Sequence, residues 1–255
     1  MTEHQPFTAL ARAYDAIMSD VEYEEWVEFL ISALRQLGWR AARLAPRRVR
    51  VLDLGCGTGN SSRPLIARGF YLVGVDASVD MLAVAKAKFP HTRFELQSFE
   101  TLALGERFDL IVSLFDSLNN VLEPAVLKHV FARARAHLAP GGWLVFDVNT
   151  PAGVEDLWDD GRFAGRADGG VEFDWRHHFD QSSGLGTVTA RFWVDGVEYV
   201  ETHLERGYGP SELTPLLQET GFGEVHFLEY PEMAPPRPSS PRIWCFAKPD
   251  PHARS

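Results

Sequence analysis

The residues with the clearest capacity for chemistry form a glycine-rich segment early in the chain. Residues 51–59 have the order Val-Leu-Asp-Leu-Gly-Cys-Gly-Thr-Gly, in which an apolar run typical of a buried strand ends in glycines. Gly55 and Gly57 would let backbone N–H groups approach a ligand, because no Cβ stands in the way. A helix that follows would direct its positive end at the same place. The segment therefore predicts a ligand-binding turn.

A carboxylate follows where such a ligand would need one. Asp76 ends the next apolar run, 21 residues after Gly55, and a carboxylate there can accept hydrogen bonds from both hydroxyls of a ribose. The nicotinamide-binding fingerprint shares this logic but has the spacing Gly-x-Gly-x-x-Gly. Here the third glycine, Gly59, comes one residue early, and Asp53 is not part of that fingerprint. A nicotinamide-dependent oxidoreductase is therefore an alternative that the spacing disfavours.

Apolar runs and helical patterns alternate around these residues. Ser78 is a predicted N-cap, and Pro124 lies in the first turn of a helix that the Leu-Ala-Pro-Gly-Gly segment at 138–142 ends. This alternation indicates a parallel sheet with helices on both faces. The predicted strands of this region are Val49–Leu54, Tyr71–Val75, Arg93–Leu96, Phe108–Leu114 and Trp143–Val148.

The pattern changes after Pro151, where strand signals follow one another with no helical pattern between them. Asp195 and Gly196 predict a hairpin turn, so we expect a small antiparallel sheet here. Its predicted strands are Phe173–Phe179, Thr187–Val194 and Val197–Arg206. The other predicted elements are helices over Val21–Leu37 and Glu212–Thr220 and final strands over Glu224–Tyr230 and Arg242–Ala247.

Composition narrows the function classes. The chain has 255 residues, of which 45% are hydrophobic and 24% charged, as in globular proteins with a sizeable core. A net charge of −10 repels phosphate backbones and anionic lipid, so we expect neither nucleic acid nor membrane as a partner.

Cys56 and Cys245 lie far apart, which indicates a reducing compartment and no zinc site. The first ten residues lack the features of a signal peptide and no apolar stretch is long enough to span a membrane, so we expect a cytoplasmic location.

Together, Asp53 to Gly59, Asp76 and the Leu-Ala-Pro-Gly-Gly segment resemble the motifs of class I S-adenosylmethionine-dependent methyltransferases. The resemblance covers roughly residues 49–150 and 206–248. It implies a Rossmann-like, seven-stranded, mostly parallel sheet with helices on both faces and a last strand that is antiparallel. It also implies S-adenosylmethionine as the cofactor. The matching cofactor positions are Asp53, Gly55, Cys56, Gly57, Asp76, Ala77, Met81, Ser98, Phe99 and Leu114.

In that family the glycine loop packs under the methionine and ribose portions of the cofactor, and the acid that ends the second strand holds the ribose. Carried over, Ala77 and Met81 would flank the adenine. Ser98 stands where the family often has an Asp that accepts from the adenine amino group, and Phe99 follows it.

The ends of the chain are similar to a narrower group, the bacterial small-molecule methyltransferases that include amino-sugar N-methyltransferases. Tyr14, Tyr23 and Trp26 would close over the sulfonium end of the cofactor, and the late sheet would cover the substrate. The amino-sugar enzymes have a histidine where this chain has Asn120. The implied organisation is an N-terminal helical cap (1–48), a methyltransferase core (49–150 and 206–248), an inserted antiparallel lid (151–205) and a tail (249–255).

Methyl transfer from a sulfonium is an in-line displacement, so the protein mainly aligns and desolvates the two reactants. Tyr14 is the first candidate to orient the nucleophile or receive its proton, although it could equally be a packing residue. Strand alternation puts Glu201 and His203 on one face, where they could act as a pair. The remaining catalytic candidates are Asn119, Asn120 and His177.

The prediction is thus an S-adenosylmethionine-dependent methyltransferase that acts on N or O of a small molecule. One alternative is an RNA- or tRNA-directed methyltransferase that docks through the arginine-rich residues 40–50. A nicotinamide-dependent oxidoreductase is the other. The sequence specifies neither the acceptor nor the oligomeric state.

Overall fold

Two sheets build the fold, a large one with helices on both faces and a smaller one joined to it near the carboxyl ends of its parallel strands. The structure, a computed structural model, describes residues 3–39, 41, 45, 48–158 and 161–252, with only the backbone at 3 and 158. Arg40, Arg43 and Arg47 of the arginine-rich stretch lie outside these residues. In chain order the elements are β1 (Glu3–His4), α1 (Tyr14–Ile17), α2 (Tyr23–Gln36), β2 (Arg50–Leu54), α3 (Ser62–Ala67), β3 (Tyr71–Asp76), α4 (Val79–Lys88), β4 (Arg93–Leu96), β5 (Phe108–Ser113), α5 (Pro124–His137), β6 (Leu138–Asn149), α6 (Pro151–Trp158), β7 (Arg162–Arg166), β8 (Glu172–Asp180), β9 (Leu185–Val194), β10 (Val197–Arg206), α7 (Pro210–Glu219), β11 (Phe222–Leu228) and β12 (Arg242–Pro249).

The large sheet has the strand order β11-β12-β6-β5-β2-β3-β4. Strands β2 to β6 pair in parallel, whereas β12 runs antiparallel to β6. Apolar runs such as Leu52 and Leu54 are buried in these strands because helices cover both faces. The predicted seven-stranded, mostly parallel sheet with a reversed last strand is confirmed. Its switch in strand order falls between β2 and β5, where such sheets bind ligands.

The smaller sheet has the order β1-β10-β9-β8-β7, and β7 to β10 form an antiparallel meander. The hairpin between β9 and β10 turns at Asp195 and Gly196, whose φ angles of 52° and 78° are those of a tight two-residue turn. This confirms the predicted antiparallel sheet. Two strands were not predicted: β7 at one edge, and β1 at the other, where Glu3 pairs in parallel with Val200.

Two other segments differ from the sequence prediction. The predicted turn at Leu-Ala-Pro-Gly-Gly is an extended start of β6, with an irregular register against β5 at Phe108 and Leu110. Helix α6 was missed because its eight residues contain a proline and a glycine. Gly153 is needed there for close packing, since a Cβ at this position would lie 1.8 Å from the carbonyl oxygen of Pro241.

No helix among the described residues is both long enough and apolar enough to cross a membrane.

Candidate active site

The glycine loop and Asp76 form one hydrogen-bonded unit at the carboxyl edge of the large sheet. One oxygen of Asp76 accepts from the backbone N–H of Gly57 at 2.8 Å, and the other accepts from that of Ser78 at 2.8 Å. Gly57 has a φ of 53°, and a Cβ placed on it would meet nothing within 4 Å. Open space therefore lies in front of the loop. Two carboxylate oxygens offer about four acceptor positions, so Asp76 keeps acceptors for two further hydroxyls.

Asp53 lies beneath this loop and is fully buried. Its Oδ2 accepts hydrogen bonds from the hydroxyls of Ser61 and Ser62 at the start of α3, whereas its Oδ1 has no donor among the described residues. Burial raises the pKa of Asp53 to about 6, although the two serine hydroxyls oppose the shift. A buried carboxylate oxygen that lacks a donor is suited to a cationic or N–H group of a ligand.

The residues predicted to flank an adenine surround the neighbouring part of the loop. The ring of Phe99 packs under Gly55, where a Cβ would lie 3.0 Å from it, and Met81 is buried on α4. Ala77 is exposed at the loop edge. Ser98 Oγ lies 3.0 Å from Thr101 Oγ1, so its hydroxyl is already engaged in a local turn.

Two further predicted cofactor positions are packing residues. Cys56 contacts Leu82 and Phe94 in a small apolar cluster, and burial raises the pKa of its thiol, so it remains a neutral packing group. Leu114 is buried beside β5 in the core that α2 covers.

The N-terminal segment lies over the glycine loop. The Ser78 hydroxyl donates to the carbonyl of Phe7 at 2.5 Å. Asp15 accepts from the Thr58 hydroxyl at 2.5 Å, and its other oxygen accepts from Lys88 at 2.5 Å. Since Thr58 belongs to the glycine loop, the first turns of the chain are tied directly to the candidate ligand site.

Glu201 of β10 holds this segment from the side of the small sheet. Its fully buried carboxylate accepts the backbone N–H groups of Phe7 at 2.8 Å, Thr8 at 3.2 Å and Leu10 at 2.9 Å. His203 Nε2 lies 3.2 Å from Glu201 Oε2. Burial opposes ionisation, but His203 and these N–H groups outweigh it and lower the pKa of Glu201. The predicted pair is thus brought together, and its carboxylate fastens the N-terminal turn.

Tyr14 stands between the glycine loop and the end of β5. Burial, first of all, raises the pKa of its hydroxyl well above the usual value, and Tyr23, Asp116, Asp15 and Asp76 raise it further. The hydroxyl is therefore held in its neutral form. The ring packs against the cluster that contains Leu10, Phe173 and Phe192, and the orienting role of Tyr14 stays a prediction.

The other aromatic candidates line the same region. Burial raises the pKa of Tyr23 to about 12, and its ring centroid lies 5.8 Å from that of Phe115. Trp26 packs 5.5 Å from Phe115 and under the Arg242 guanidinium at 5.2 Å. Trp26 also lines a cavity of about 300 Å³ with Tyr230 and Trp244.

Of the remaining catalytic candidates, Asn119 differs from its predicted position, whereas the roles of Asn120 and His177 stay predictions. We expected Asn119 to face a substrate, but it is fully buried and its amide bonds to the backbone of Asn149 and Arg206. Asn120 is half-buried and donates to the Ser117 carbonyl at 3.3 Å. His177 lies on β8, separated from Glu201 by β9, and burial lowers its pKa.

Sequence reasoning missed a cluster that we call the carboxylate cluster: Asp116, Asp147, Glu205, Asn149 and Arg242. Asp147 is fully buried, bonds to Arg242 and accepts the backbone N–H groups of Phe115 at 2.6 Å and Asp116 at 3.0 Å. Phe115 and Asp116 have positive φ angles of 63° and 49°, so Asp147 holds a strained turn in place. A charged residue inside the apolar run Trp143–Val148 was the available signal.

The sequence of this chain is similar to those of known methyltransferases. Residues 51–142 match the family model of a methyltransferase domain. A putative methyltransferase of Geobacillus sp. strain WCH70 is 28% identical over 252 residues, which is 95% of this chain and 99% of that protein. A dTDP-3-amino-3,6-dideoxy-alpha-D-glucopyranose N,N-dimethyltransferase of Streptomyces fradiae is 27% identical over 65% of each chain.

Solved structures agree over nearly the whole length. An S-adenosylmethionine-dependent methyltransferase from Clostridium acetobutylicum has a TM-score of 0.78 and 26% identity, covering 94% of this chain and 97% of that one. The S-adenosylmethionine-bound amino pentose methyltransferase of calicheamicin biosynthesis, from Micromonospora echinaspora, has a TM-score of 0.69 and 25% identity, covering 97% and 99%.

The fold and the site therefore define a Rossmann-like methyltransferase. Residues 51–142 belong to a methyltransferase domain, and the chain is an S-adenosylmethionine-dependent methyltransferase with S-adenosylmethionine as its cofactor. This finding excludes the nicotinamide-dependent alternative. The residues fit the cofactor: Asp76 has acceptors left for two ribose hydroxyls, and Asp53 Oδ1 lacks the donor that an ammonium group would provide.

Asp53 predicts a pH dependence of stability in the ligand-free protein. Its folded pKa is about 6 against 3.8 when unperturbed, so the folded chain binds more protons than the unfolded one between these values. The free energy of unfolding should therefore fall as pH rises from about 4 to about 6, by ~2–3 kcal/mol. Urea unfolding from pH 4 to 7 measures it. Asp53→Asn should remove this fall in stability, whereas Asp80→Asn, at an exposed position of α4, should leave it unchanged. Equal dependence on pH in the wild type and both variants would show that Asp53 does not cause the fall.

Asp76→Ala should weaken binding of S-adenosylhomocysteine at least ~100-fold, because it removes a charged acceptor for two ribose hydroxyls. Calorimetric titration measures the affinity, and near-ultraviolet circular dichroism checks that the fold persists. Asp80→Ala, four residues further along, is the matched control and should bind like the wild type. Unchanged affinity in Asp76→Ala would show that the ribose lies elsewhere.

Glu201→Gln should release the N-terminal turn, because the amide can accept with only one oxygen and places its NH₂ against backbone donors. The lost contacts should raise the rate of tryptic cleavage after Arg12 ~10-fold or more. Mass spectrometry over a digestion time course measures this rate. Glu198→Gln changes an exposed acid on the same strand and is the control. Equal cleavage rates in the two variants would rule out the holding role of Glu201.

Proposed function

We propose that this enzyme transfers the methyl group of S-adenosylmethionine to nitrogen or oxygen of a small molecule. The observation that carries the proposal is the Glu201 contact, which fastens the N-terminal turn to the small sheet while Ser78 and Thr58 tie the same segment to the cofactor loop. A reaction space covered in this way on two sides suits a compact acceptor better than a polymer. The inserted region 151–205 acts as the lid.

The chain's own residues explain how the reactants are held. When bound, S-adenosylmethionine supplies a methyl group on a sulfonium, which the lone pair of an acceptor attacks in line. Asp76, which the N–H of Gly57 holds in place, would accept from the ribose hydroxyls, and Asp53 Oδ1 would accept from the ammonium group. Tyr14, protonated at neutral pH, donates a hydrogen bond near the reacting atoms. Trp26, Tyr23 and Phe115 exclude water from the same region.

The relatives support a small-molecule acceptor. Two of them are named for transfer to an amino sugar or amino pentose. Residues 40–50, proposed above as an RNA-docking stretch, gain no support from the described part of this loop, where Arg50 pairs with Glu106 and stacks on Tyr71. Since Cys56 and Cys245 are both free and buried, we also infer a cytoplasmic enzyme.

Transfer of a radiolabelled methyl group tests the proposal. The protein is incubated with labelled S-adenosylmethionine and separately with a small-molecule panel of amines and alcohols and with total tRNA. We expect label in the small-molecule fraction alone and none with Asp76→Ala.

Label in tRNA would overturn the proposal in favour of the RNA-directed alternative. That outcome would be confirmed if the RNA signal fell with salt and disappeared when Arg43, Arg47 and Arg48 were changed to Glu. Calorimetry with S-adenosylhomocysteine, with NAD as the control ligand, runs alongside and shows that the protein sample has a working cofactor site.

A further inference from the structure

The carboxylate cluster holds more negative charge than its one cation can balance. Asp116, Asp147 and Glu205 surround Arg242, whose Nη1 lies 3.3 Å from Asp116 Oδ1 and bonds to Asp147. Asp147 is fully buried and the Asp116 side chain is 17% exposed. Three acids around one guanidinium leave two formal negative charges when all are ionised. Buried charges of this kind are stable only when a partner is present.

The two carboxylates that are not committed to the backbone meet at one amide. Asn149 Nδ2 donates to Asp116 Oδ2 at 3.1 Å and to Glu205 Oε2 at 3.4 Å. Asn149 is nearly completely buried, yet its Oδ1 has no donor among the described residues. This unpartnered acceptor, beside two carboxylates that share one amide, points to a ligand that carries several N–H donors.

The cluster lies beside the reaction centre. Ser117, next to Asp116, approaches the Gly55 carbonyl to 3.5 Å. The negative charges of Asp116 and Asp76 both raise the pKa of the Tyr14 hydroxyl. The cluster and the ribose carboxylate therefore both lie near Tyr14. On the far side, Arg242 lines a cavity of about 300 Å³, whose wall combines aromatic residues with charged ones: Trp26, Tyr230, Trp244, Glu229, Glu232 and Arg237.

We infer that the acceptor is an amine, that Asp116 and Glu205 bind its ammonium form, and that Glu205 takes one of its protons before transfer. This inference rests on the proposed function and specifies its acceptor. One N–H bond of the ammonium breaks and the proton passes to Glu205. The freed nitrogen lone pair then forms the C–N bond to the methyl carbon as the C–S bond breaks and its electron pair stays on sulfur. The product is a methylammonium, and Glu205 returns its proton to solvent.

The charges that face Glu205 suit this role. Burial raises the pKa of Glu205 well above the usual value; Asp116 and Asp147 add to the shift, while the Asn149 amide and Arg242 oppose it. Tyr14 faces Asp116 from the N-terminal segment. A carboxyl group whose pKa is raised is a better proton acceptor for an ammonium than an exposed one.

Matched acceptor pairs test the inference with the full-length enzyme. One pair is dTDP-3-amino-3,6-dideoxyglucose and dTDP-6-deoxyglucose; the other is benzylamine and benzyl alcohol, which differ only in the group that would accept the methyl. We expect methylation of amines and not of their alcohols. Glu205→Gln should lower kcat/KM for the amine ~100-fold at pH 7. The deficit should shrink as pH approaches the pKa of the amine, ~10, because the free amine then needs no proton acceptor. Glu198→Gln on exposed β10 should match the wild type.

A second measurement does not depend on turnover. In the complex with S-adenosylhomocysteine, ¹³C NMR of the glutamate carboxyl groups identifies Glu205 by the signal lost in Glu205→Gln. Benzylammonium should shift that signal and benzyl alcohol should not.

Failure of this inference and failure of the proposed function give different results. Methylation of alcohols in preference to amines, a constant deficit of Glu205→Gln across pH, or no shift with benzylammonium overturns the inference while small-molecule methylation stands. Transfer to tRNA alone overturns both.

Discussion

The position of the N-terminal segment over the cofactor loop depends on one buried carboxylate. Glu201 leaves water entirely, which is costly for an ion, and the cost is offset by the N–H groups of Phe7, Thr8 and Leu10 and by His203 at 3.2 Å. The apolar residues of the same segment, among them Ala9 and Leu10, pack with Phe173 and Phe192 of the small sheet. The hydrogen bonds to Glu201 and this packing together hold the first residues of the chain over the cofactor loop. Tyr14, two turns further on, reaches the reaction centre only from this position.

The same region shows how charge and strain are combined. Asp147 uses both oxygens to hold the left-handed turn at Phe115 and Asp116 and also binds Arg242. Because Asp147 holds this turn, the side chain of Asp116 lies near Tyr14 and accepts a hydrogen bond from Asn149. Burial raises the pKa of Asp53, Asp76, Asp147 and Glu205 alike. The site thus concentrates acids that destabilise the ligand-free fold and that gain partners when cationic ligands bind.

The sequence predicts the features that depend on neighbours along the chain. The glycine loop, Ser78 as an N-cap, the Asp195-Gly196 hairpin and the alternation of strands and helices are local patterns, and the structure confirms them. Features that depend on residues far apart in the chain could not be predicted from the sequence. Asn119 has the composition of a substrate-binding residue, but its amide is used by Asn149 and Arg206. Glu205 and Arg242 look like ordinary surface charges until the fold brings them to Asp116. Helix propensity does not predict α6, because its short sequence contains a proline and a glycine. Gly153 is needed there for the close contact with Pro241.

The sequence separation of the Glu201 contact has a consequence for the order of events during folding. Its partners are 191 to 194 residues away along the chain, so nearly all of the protein must be synthesised before the N-terminal turn can be held. Contacts of such high contact order carry the largest loop-closure entropy and form late. The stretch of chain that is made first is therefore attached last.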